Sequence, residues 1–365
     1  MNLNSFVRNR GTSLQSAINS VTKWEPIFQG TEIGIVHAIV YSKDLKKFVM
    51  QTGEFENIYT SSDGINWEDH NVASLTEDLR RIIWVSELGI FIGITSDNVT
   101  NDIFISKDGL SWESNSSGIN GNLADIDWSP SLGLMVTVSF NTTGDEYVAT
   151  SPDGVTWTKI EISGGSQDWS SVVWSTELGM FVVVGMDSGT AGKVAFSYDG
   201  VNWERGPSSN ENANWVSVEW SPELGLFIST AASGTGDRLM YSRLPTSSGG
   251  WESISIPEKE WFEIIWCSEL GVFLVIGDNE TILASTNGVD WDEVVVPESY
   301  WGPIDWSPDF GLFVLGSYIG TDTVMVSRRK IEYTPEIHTS TEDPIASDGL
   351  DGDLWFVYDE YEYGG

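Results

Sequence analysis

The chain has 365 residues, 40% of them hydrophobic and 12% aromatic, which is too apolar for a disordered chain and enough to fill a large core. Acidic residues outnumber basic residues by 54 to 18, and the net charge of -36 disfavours binding to nucleic acids or to anionic membrane surfaces. The single cysteine, Cys267, excludes an intramolecular disulfide, so we expect the core alone to hold the fold together.

Residues 1–23 form the first segment in chain order, and we interpret them as an N-terminal arm. They contain no apolar stretch of the kind found in signal peptides. No run in the sequence reaches the roughly 20 apolar residues of a membrane span. We therefore expect a soluble protein that lacks a secretion signal and does not insert into membranes.

An aromatic residue recurs along the chain, with a glycine five positions later and a Phe or Met seven positions later. This element predicts a strand ending at the aromatic residue, a turn at the glycine and a second strand through the Phe or Met. In one weaker copy, Lys46 replaces the glycine. The seven aromatic residues are Tyr41, Trp84, Trp128, Trp174, Trp220, Trp266 and Trp306.

A second element, Ser-x-Asp-Gly-x-x-Trp, alternates with the first. Asp-Gly favours a tight hairpin because glycine accepts a positive φ and the Asp side chain accepts bonds from nearby backbone N–H groups. We interpret the Asp and Gly as turn residues and the Trp as packing residues, because a repeated scaffold requires such recurrence. These structural residues are Asp63, Gly64, Trp67, Asp108, Trp112, Asp153, Trp157, Asp199 and Trp203.

Together the two elements predict four strands in each unit, and a period of roughly 45 residues is typical of a propeller blade. We therefore predict an all-β protein, a seven-bladed β-propeller of four-stranded antiparallel blades over residues 24–330, with a short irregular C-terminal extension. The last unit, Ile304 to Ser327, lacks an outer strand, whereas a spare strand at Trp24 precedes the first unit. The N-terminal strand at Trp24 is thus predicted to close the ring and cover the open edge.

The Ser-x-Asp-Gly-x-x-Trp copies resemble the Asp-box, or bacterial neuraminidase repeat, of a family of β-propellers. The resemblance covers roughly Trp24 to Lys330. The family's box has one more residue between Asp and Gly, so the subfamily is left open. The family includes sialidases, other glycan-active enzymes, assembly factors, and binding modules of secreted and viral proteins, so the fold does not fix the function.

Residues 331–365 differ in character and contain the string Asp-Gly-Asp-Leu-Trp-Phe-Val-Tyr, which resembles a short module of bacteriophage tail and fibre proteins. Acidic spacers around an aromatic cluster suit the addition of a strand to another subunit. We interpret this acidic aromatic tail as an assembly anchor that contacts virion subunits through Leu354, Trp355, Phe356 and Tyr358. The alternative is a solvated tail whose aromatic residues dock on the propeller.

Catalytic and metal-binding residues form no recognisable set in the sequence. A sialidase needs three arginines around the substrate carboxylate, and the arginines here do not occupy equivalent inner-strand positions. Asp127, Glu219 and Asp305 each precede an inner-strand Trp and can point into the central channel, toward water or a calcium ion. We expect a protein without catalytic residues, cofactor or metal ligand set, and keep a glycan-active hydrolase or lyase as an alternative.

Trp169, Trp215, Trp261 and Trp301 each stand five residues before an inner-strand Trp, and Tyr300 lies beside the last. We predict that they lie on the face formed by variable loops, where a partial ring of indoles can stack on sugar rings. These five are the candidate ligand-binding residues. The same position is aliphatic in the other units, so packing between blades is the favoured alternative.

The resemblances imply a non-enzymatic structural protein of a virus, a bacteriophage tail or fibre component that displays its propeller. Its partners would be other virion subunits and a host surface glycan, without nucleic acid or membrane insertion. Such a protein is assembled in the host cytoplasm and exposed on the particle. A cellular protein-binding or assembly-scaffold propeller is the second, non-catalytic interpretation.

Overall fold

The structure is a computed structural model in which the chain divides into two compact units, Met1–Arg329 and Lys330–Gly365. Every regular element in its described part is a β-strand. The described residues are 24–27, 33–53, 57–96, 102–119, 122–140, 147–162, 168–186, 192–246, 250–278, 281–318, 324–327, 337–340 and 354–357.

The strands of the first unit form seven four-stranded sheets. The inner strands are β2 (Val36–Ser42), β6 (Leu79–Val85), β10 (Asn122–Ser129), β14 (Asp168–Ser175), β18 (Ala213–Ser221), β22 (Trp261–Cys267) and β26 (Trp301–Ser307). The second strands are β3 (Lys47–Thr52), β7 (Ile90–Thr95), β11 (Leu134–Phe140), β15 (Met180–Met186), β19 (Leu226–Gly234), β23 (Val272–Gly277) and β27 (Leu312–Ser317). The third strands are β4 (Asn57–Ser61), β8 (Ile103–Ser106), β12 (Tyr147–Ser151), β16 (Val194–Ser197), β20 (Leu239–Ser242), β24 (Thr281–Ser285) and β28 (Val324–Ser327). The outer strands are β5 (Glu68–Asn71), β9 (Trp112–Asn115), β13 (Thr158–Glu161), β17 (Glu204–Gly206), β21 (Glu252–Ile254), β25 (Asp292–Val295) and, in the last blade, β1 (Trp24–Pro26).

The seven sheets are the blades of a closed propeller, as predicted. Within each blade, neighbouring strands pair antiparallel in the order inner, second, third and outer. The inner strand of each blade packs beside that of the next, and β2 of the first blade packs beside β26 of the seventh. The predicted fold class is therefore confirmed.

The N-terminal strand closes the ring, and this prediction is also confirmed. β1 pairs antiparallel with β28, with Trp24 opposite Ser327. The Trp24 ring lies 6.3 Å from the ring of Phe313, and within the second blade Trp112 lies 6.3 Å from Phe91. Trp24 thus takes the place of the outer-strand Trp that the seventh unit lacks.

The core lies between the blades and is built by the second strands. These strands are almost completely buried because both of their faces are covered by neighbouring blades. In the six repeats that have a Phe, its ring packs against the inner-strand aromatic of its own blade, with ring centroids 4.6 Å apart for Trp84 and Phe91. The same pair recurs at 4.4 Å in Trp220 and Phe227, so the repeat spacing encodes a recurring aromatic stack.

The Asp-Gly turns have the hydrogen bonds that the sequence predicts for turn residues. In the first blade, Asp63 Oδ1 accepts bonds from the backbone N–H groups of Ile65 and Asn66, at 2.8 and 2.7 Å. The N–H of Gly64 donates to the Ser61 hydroxyl oxygen at 2.8 Å. The turn roles of Asp108, Asp153 and Asp199 are confirmed by the same bonds. Asn287 reproduces this turn in the sixth blade with its amide oxygen.

Acid sensitivity is expected from these turns. Burial raises the pKa of Asp63, but the bonds from Asn66 and Ile65 outweigh it and lower the pKa to about 2. The pKa of Asp63 is thus lower in the folded protein than in the unfolded chain, where it is about 4. The ionised side chain therefore stabilises the fold at pH values above 4, and this stabilisation is lost as pH falls toward 2. Asp63→Asn keeps a side-chain oxygen that accepts the turn hydrogen bonds, as Asn287 does in the sixth blade. We therefore expect this variant to have a near-normal free energy of unfolding at pH 7 and to lose less of it between pH 4 and pH 2. Urea unfolding across this pH range measures both, and a parallel loss in both proteins would contradict the assignment.

Lys46 has a φ of 51°, at the turn position where the other six repeats have glycine. A side chain in this region costs about 1 kcal/mol, and the solvent-exposed ion pair of Lys46 with Asp309, 3.2 Å apart, offsets only a small part of that cost. We therefore expect Lys46→Gly to stabilise the protein by up to about 1 kcal/mol. Gly89→Ala should destabilise it by about 1 kcal/mol, since its added Cβ meets nothing but has the wrong φ. Chemical unfolding of both variants measures these changes. Destabilisation by Lys46→Gly would show that the backbone of Lys46 is not strained.

The described residues of the second unit form two short strands, β29 (Ile337–Ser340) and β30 (Leu354–Val357), which pair in parallel. The prediction of an irregular C-terminal extension is therefore wrong for these residues. Parallel pairing of consecutive strands requires a long connection, and residues 341–353 separate the two. Leu354, Trp355 and Phe356 lie in β30, whereas Tyr358 lies outside the described residues.

Candidate functional site

The inner strands place two rings of side chains around the central channel. Because side chains alternate along a strand, residues one and three positions before each inner-strand aromatic point to the same side. A register irregularity in each inner strand, just before these positions, re-aims the side chains that precede it. The ionisable members of the two rings are Arg81, Asp125, Asp127, Glu219, Glu263 and Asp305.

Arg81 bridges the channel between different blades. Its Nη1 lies 2.8 Å from Glu263 Oε1 of the sixth blade, and its Nε lies 3.3 Å from Asp125 Oδ1 of the third blade. Asp125 also accepts bonds from the Ser171 hydroxyl and from the Val172 N–H. The positive charge of Arg81 is thus shared by two carboxylates, and these raise the pKa of the guanidinium further.

Asp127 and Asp305 link neighbouring blades through backbone hydrogen bonds. Asp127 accepts from the N–H of Trp128 at 2.7 Å and from that of Trp174, in the next blade, at 2.6 Å. Asp305 accepts from Trp306 at 2.7 Å and from Tyr41, across the closure, at 2.6 Å. Burial raises the pKa of Asp127 to about 7 and that of Asp305 to about 6, although these bonds oppose the rise.

Glu219 accepts fewer hydrogen bonds than Asp127 and Asp305. Its Oε1 accepts one bond from the Trp220 N–H at 3.1 Å, and its Oε2 has no hydrogen-bond partner among the described residues. Burial raises its pKa to about 8, and repulsion by Asp127 and Glu263 adds to this, while the Trp220 bond and Arg81 lower it. A half-buried carboxyl group with a raised pKa in a cleft is a candidate functional group.

A cavity of about 530 Å³ occupies one end of the channel. Its walls are aliphatic, its rim is aromatic, and charged side chains line both its interior and its mouth. The walls are Ile39, Val40, Ile82, Ile83, Ile264, Ile265 and Ile304, and the rim is Tyr41, Trp84, Trp266 and Trp306. The charged residues are Arg81, Glu219, Glu263 and Asp305 in the interior, and Lys43, Glu87 and Glu269 on the turns at the mouth.

Three of the four rim aromatics, all except Trp306, donate hydrogen bonds to acids from the preceding blade. Trp84 Nε1 donates to Asp44 Oδ2 at 2.7 Å, and Trp266 Nε1 donates to Glu223 Oε2 at 2.8 Å. The Tyr41 hydroxyl donates to Asp309 at 2.6 Å across the ring closure. The acids lie in the turns between inner and second strands, so the same turns that shape each blade also set the mouth of the channel.

We call the face that carries this mouth the turn face, because both kinds of tight turn lie on it. Several aliphatic side chains on these turns are exposed. They are Leu45 (41%), Leu88 (37%) and Leu132 (41%) on the turns near the channel, and Ile65 (38%), Val155 (58%), Val201 (49%) and Val289 (46%) on the Asp-Gly turns. Apolar exposure around a polar cleft is typical of an interaction surface.

The predicted indole ring is wrong. Trp169, Trp215, Trp261 and Trp301 are each 0% exposed, so their rings cannot stack on a bound sugar. The irregularity in each inner strand directs the side chain at this position into the space between blades, where packing requires an apolar residue. The alternative interpretation, packing between blades, accounts for all four.

Tyr300, the fifth candidate ligand-binding residue, is half-buried. Its ring lies 4.9 Å from that of Phe262 and 6.3 Å from that of Tyr318, and its hydroxyl donates to Glu260 at 3.3 Å. This aromatic cluster lies at the ends of the inner strands opposite to the turn face. A ligand-binding role for Tyr300 stays a prediction.

Three charged channel residues were missed in the sequence, namely Arg81, Asp125 and Glu263. Each stands three positions before an inner-strand aromatic, where the other units have Ala, Ser or Pro. The sequence therefore contained a signal for these residues. Because side chains alternate along a strand, the position two residues before that of Asp127, Glu219 and Asp305 also faces the channel. What the alternation does not reveal is that Arg81 reaches across the channel to Glu263.

Within the described residues, no three His, Cys, Asp or Glu side chains converge closely enough to hold a metal ion. Nor does that part of the chain contain a helix long and apolar enough to span a bilayer. Cys267 is buried, and burial raises the pKa of its thiol to about 12.

No family model and no curated protein matches the chain. Solved structures share its fold. A streptogramin B lyase is 12% identical with a TM-score of 0.67, over 83% of this chain and 96% of that one. Virginiamycin B lyase from Staphylococcus aureus is 10% identical with a TM-score of 0.67, over 83% and 98%. YCF48 from Cyanidioschyzon merolae is 12% identical with a TM-score of 0.61, over 84% and 98%, and YCF48 bound to D1 peptide is 15% identical with a TM-score of 0.61, over 86% and 97%.

Proposed function

We propose that this chain is a non-enzymatic structural protein of a bacteriophage particle, a tail or fibre component whose propeller binds another virion subunit through the turn face. The observation that carries the binding role is the combination of exposed aliphatic turns with a charged cavity at their centre. Protein interfaces bury apolar side chains, and contacts that exclude water strengthen the polar contacts which they surround. The phage assignment rests on the Asp-box resemblance and on the C-terminal string.

A protein partner is favoured over a host glycan. Sugar binding usually places aromatic rings where they can stack, and the four candidate indoles are buried. The turn face instead offers exposed aliphatic side chains on several blades. Such a surface suits the apolar side chains of another subunit.

Cross-linking in intact particles tests the proposal. The native Cys267 is buried, so a cysteine introduced as Leu88→Cys offers an exposed thiol for a photoreactive label. We expect the chain among the proteins of purified particles by mass spectrometry, and a cross-link from position 88 to another virion subunit. The matched control is Val295→Cys, which is 77% exposed on an outer strand. Absence of the chain from particles, or equal cross-linking from both positions, would overturn the proposal.

The C-terminal tail is proposed to anchor the propeller to the particle. Residues 331–365 fall in the second compact unit, whereas the 28 propeller strands all belong to the first. We expect deletion of residues 331–365 to leave thermal unfolding of the propeller unchanged while reducing incorporation into particles at least about tenfold. Circular dichroism and quantitative mass spectrometry measure the two effects. Normal incorporation of the shortened chain would contradict the anchor.

A second candidate function is a lyase or hydrolase. The specific observation in its favour is Glu219, whose raised pKa and unbonded Oε2 suit a general acid or base. Two structural neighbours are lyases. Incubation with virginiamycin B and with a panel of glycans tests this function. Turnover that is lost in Glu219→Gln would establish an enzyme and displace the binding proposal.

A cellular assembly-scaffold propeller is the other alternative. It is favoured by the likeness to YCF48, one structure of which holds the D1 peptide. That alternative shares the protein-binding role and differs in location. Detection in host cells but not in particles would select it.

A further inference from the structure

Carboxyl groups outnumber guanidinium groups in the two rings of the channel. Within its two rings, five carboxyl groups face a single guanidinium, that of Arg81, which already contacts Glu263 and Asp125. Asp127 and Asp305 are held by backbone N–H groups. Glu219 lines the cavity, and its Oε2 has no hydrogen-bond partner among the described residues. The described part of the channel thus supplies no cation that bonds to Glu219.

The shape of the cavity limits what could fill that place. The aliphatic side chains of Val40, Ile83 and Ile265 lie in the same ring as Glu219, so an occupant that pairs with Glu219 also contacts apolar surface. A lysine or arginine side chain matches such a cavity, because it has an apolar stem and a cationic end. A volume of about 530 Å³ accommodates one such side chain with water.

The exposed turns explain how the cation would be desolvated. Leu45, Leu88 and Leu132 lie on the turns around the mouth, and a partner that covers them would exclude water from the channel. Single side chains contribute most to binding where the surrounding contacts exclude water from them. Charge complementarity and the surrounding apolar surface thus point to the same occupant.

We propose that the channel cavity receives a lysine or arginine side chain of the partner subunit, which enters from the turn face and pairs with Glu219. This inference rests on the proposed function, because it identifies the chemistry of the same interface. Arg81 acts as a positioning residue that pairs with Glu263 and Asp125, so that Glu219 remains for the incoming cation.

Binding of the cation is coupled to a proton. With its pKa at about 8, the empty Glu219 is largely protonated at pH 7, whereas pairing with a cation favours the carboxylate. Cation binding therefore releases a proton and becomes tighter as pH rises from 6 toward 8. The charged groups around Glu219 are Asp127, Glu263, Arg81 and Asp305 in the channel, and Lys43, Glu87 and Glu269 at its mouth.

Titration of the purified full chain with n-butylguanidinium tests the inference, with indole N–H signals in NMR spectra as the readout. We expect shifts of the rim signals from Trp84 and Trp266, and a Kd that falls up to about tenfold between pH 6 and pH 7. Glu219→Gln should weaken binding about tenfold and remove the pH dependence. The matched control is Glu113→Gln, the same change on an exposed outer strand, which should bind like the unaltered chain.

The outcomes separate this inference from the proposed function. Binding by the unaltered chain with the stated pH dependence supports the inference even if Glu219→Gln does not fold. Absence of rim shifts, equal binding of neutral n-pentanol, or binding of calcium in place of the guanidinium would overturn it. If position 88 cross-links to a virion subunit while n-butylguanidinium does not bind, the inference fails and the proposed function stands. If the chain is absent from particles, the proposed function itself fails.

Discussion

Replacement of Trp24 by alanine is expected to lower the free energy of unfolding by about 3 kcal/mol. Trp24 is 8% exposed and packs on Phe313 in the core between the sixth and seventh blades. Its removal leaves a cavity and weakens a closing strand of only three residues, Trp24–Pro26. Urea unfolding followed by circular dichroism measures the loss.

Trp112→Ala is the matched control for this variant. Trp112 is 4% exposed, lies 6.3 Å from Phe91 and belongs to a blade whose four strands are consecutive in the chain. We expect a similar loss of stability from both variants, but concentration-dependent association only from Trp24→Ala, because a loosened β1 exposes the edge of β28. Light scattering at several protein concentrations measures association. Association by both variants, or by neither, would contradict the role of β1 in closing the ring.

Removal of the positive charge in Arg81→Met should destabilise the protein by about 2 kcal/mol at pH 8. Methionine keeps much of the apolar stem, so the loss reports the charge. A fully buried pair would lose more, but the Arg81 side chain is 35% exposed and that of Glu263 is 19% exposed. Without Arg81, the carboxylates of Glu263 and Asp125 remain in the channel without their counter-charge.

The pH dependence distinguishes this loss from a loss of packing. Burial raises the pKa of Glu263 even beside Arg81, and removal of the guanidinium raises it further. A folded pKa above the unfolded value penalises the fold as pH rises, so the destabilisation should shrink between pH 8 and pH 5. Arg81→Met combined with Glu263→Gln should recover part of the stability. A destabilisation that is equal at both pH values and unrelieved in the double variant would show that Arg81 acts by packing alone.

Most of the fold was predictable because the repeat carries it. The inner-strand aromatic, the turn glycine and the buried Phe recur in register, so the same contacts form in most blades. The ring closure was predictable for the same reason, since Trp24 stands at the spacing of an outer-strand Trp. The C-terminal strands were not predicted, because they belong to no repeat and each is four residues long.

The candidate site was predicted less well, because it depends on departures from the repeat. From the sequence, Trp215 and Trp261 were predicted to belong to an exposed circle of indoles. A register irregularity that has no signal in the sequence directs their side chains into the core instead. Arg81 stands beside Arg80 in the sequence and belongs to no recognisable motif. Its importance comes from a contact with Glu263, which is 182 residues away in sequence and lies in a different blade.

The fold alone does not select among a binding protein, a scaffold and an enzyme. The structural neighbours include lyases and a protein with a bound peptide, at 10 to 15% identity. Function on a shared fold is set by the residues of the site, and the residues that line the channel differ from blade to blade. The chemistry of Glu219 and its neighbours is therefore what distinguishes these functions.

A high-resolution cryo-electron microscopy map of the intact particle tests the central claim most directly. The proposed function and the further inference predict that the turn face contacts another virion subunit, with a lysine or arginine of that subunit within hydrogen-bond distance of Glu219. A particle in which the propeller is present but its turn face points into solvent, with the channel cavity open, would contradict the claim.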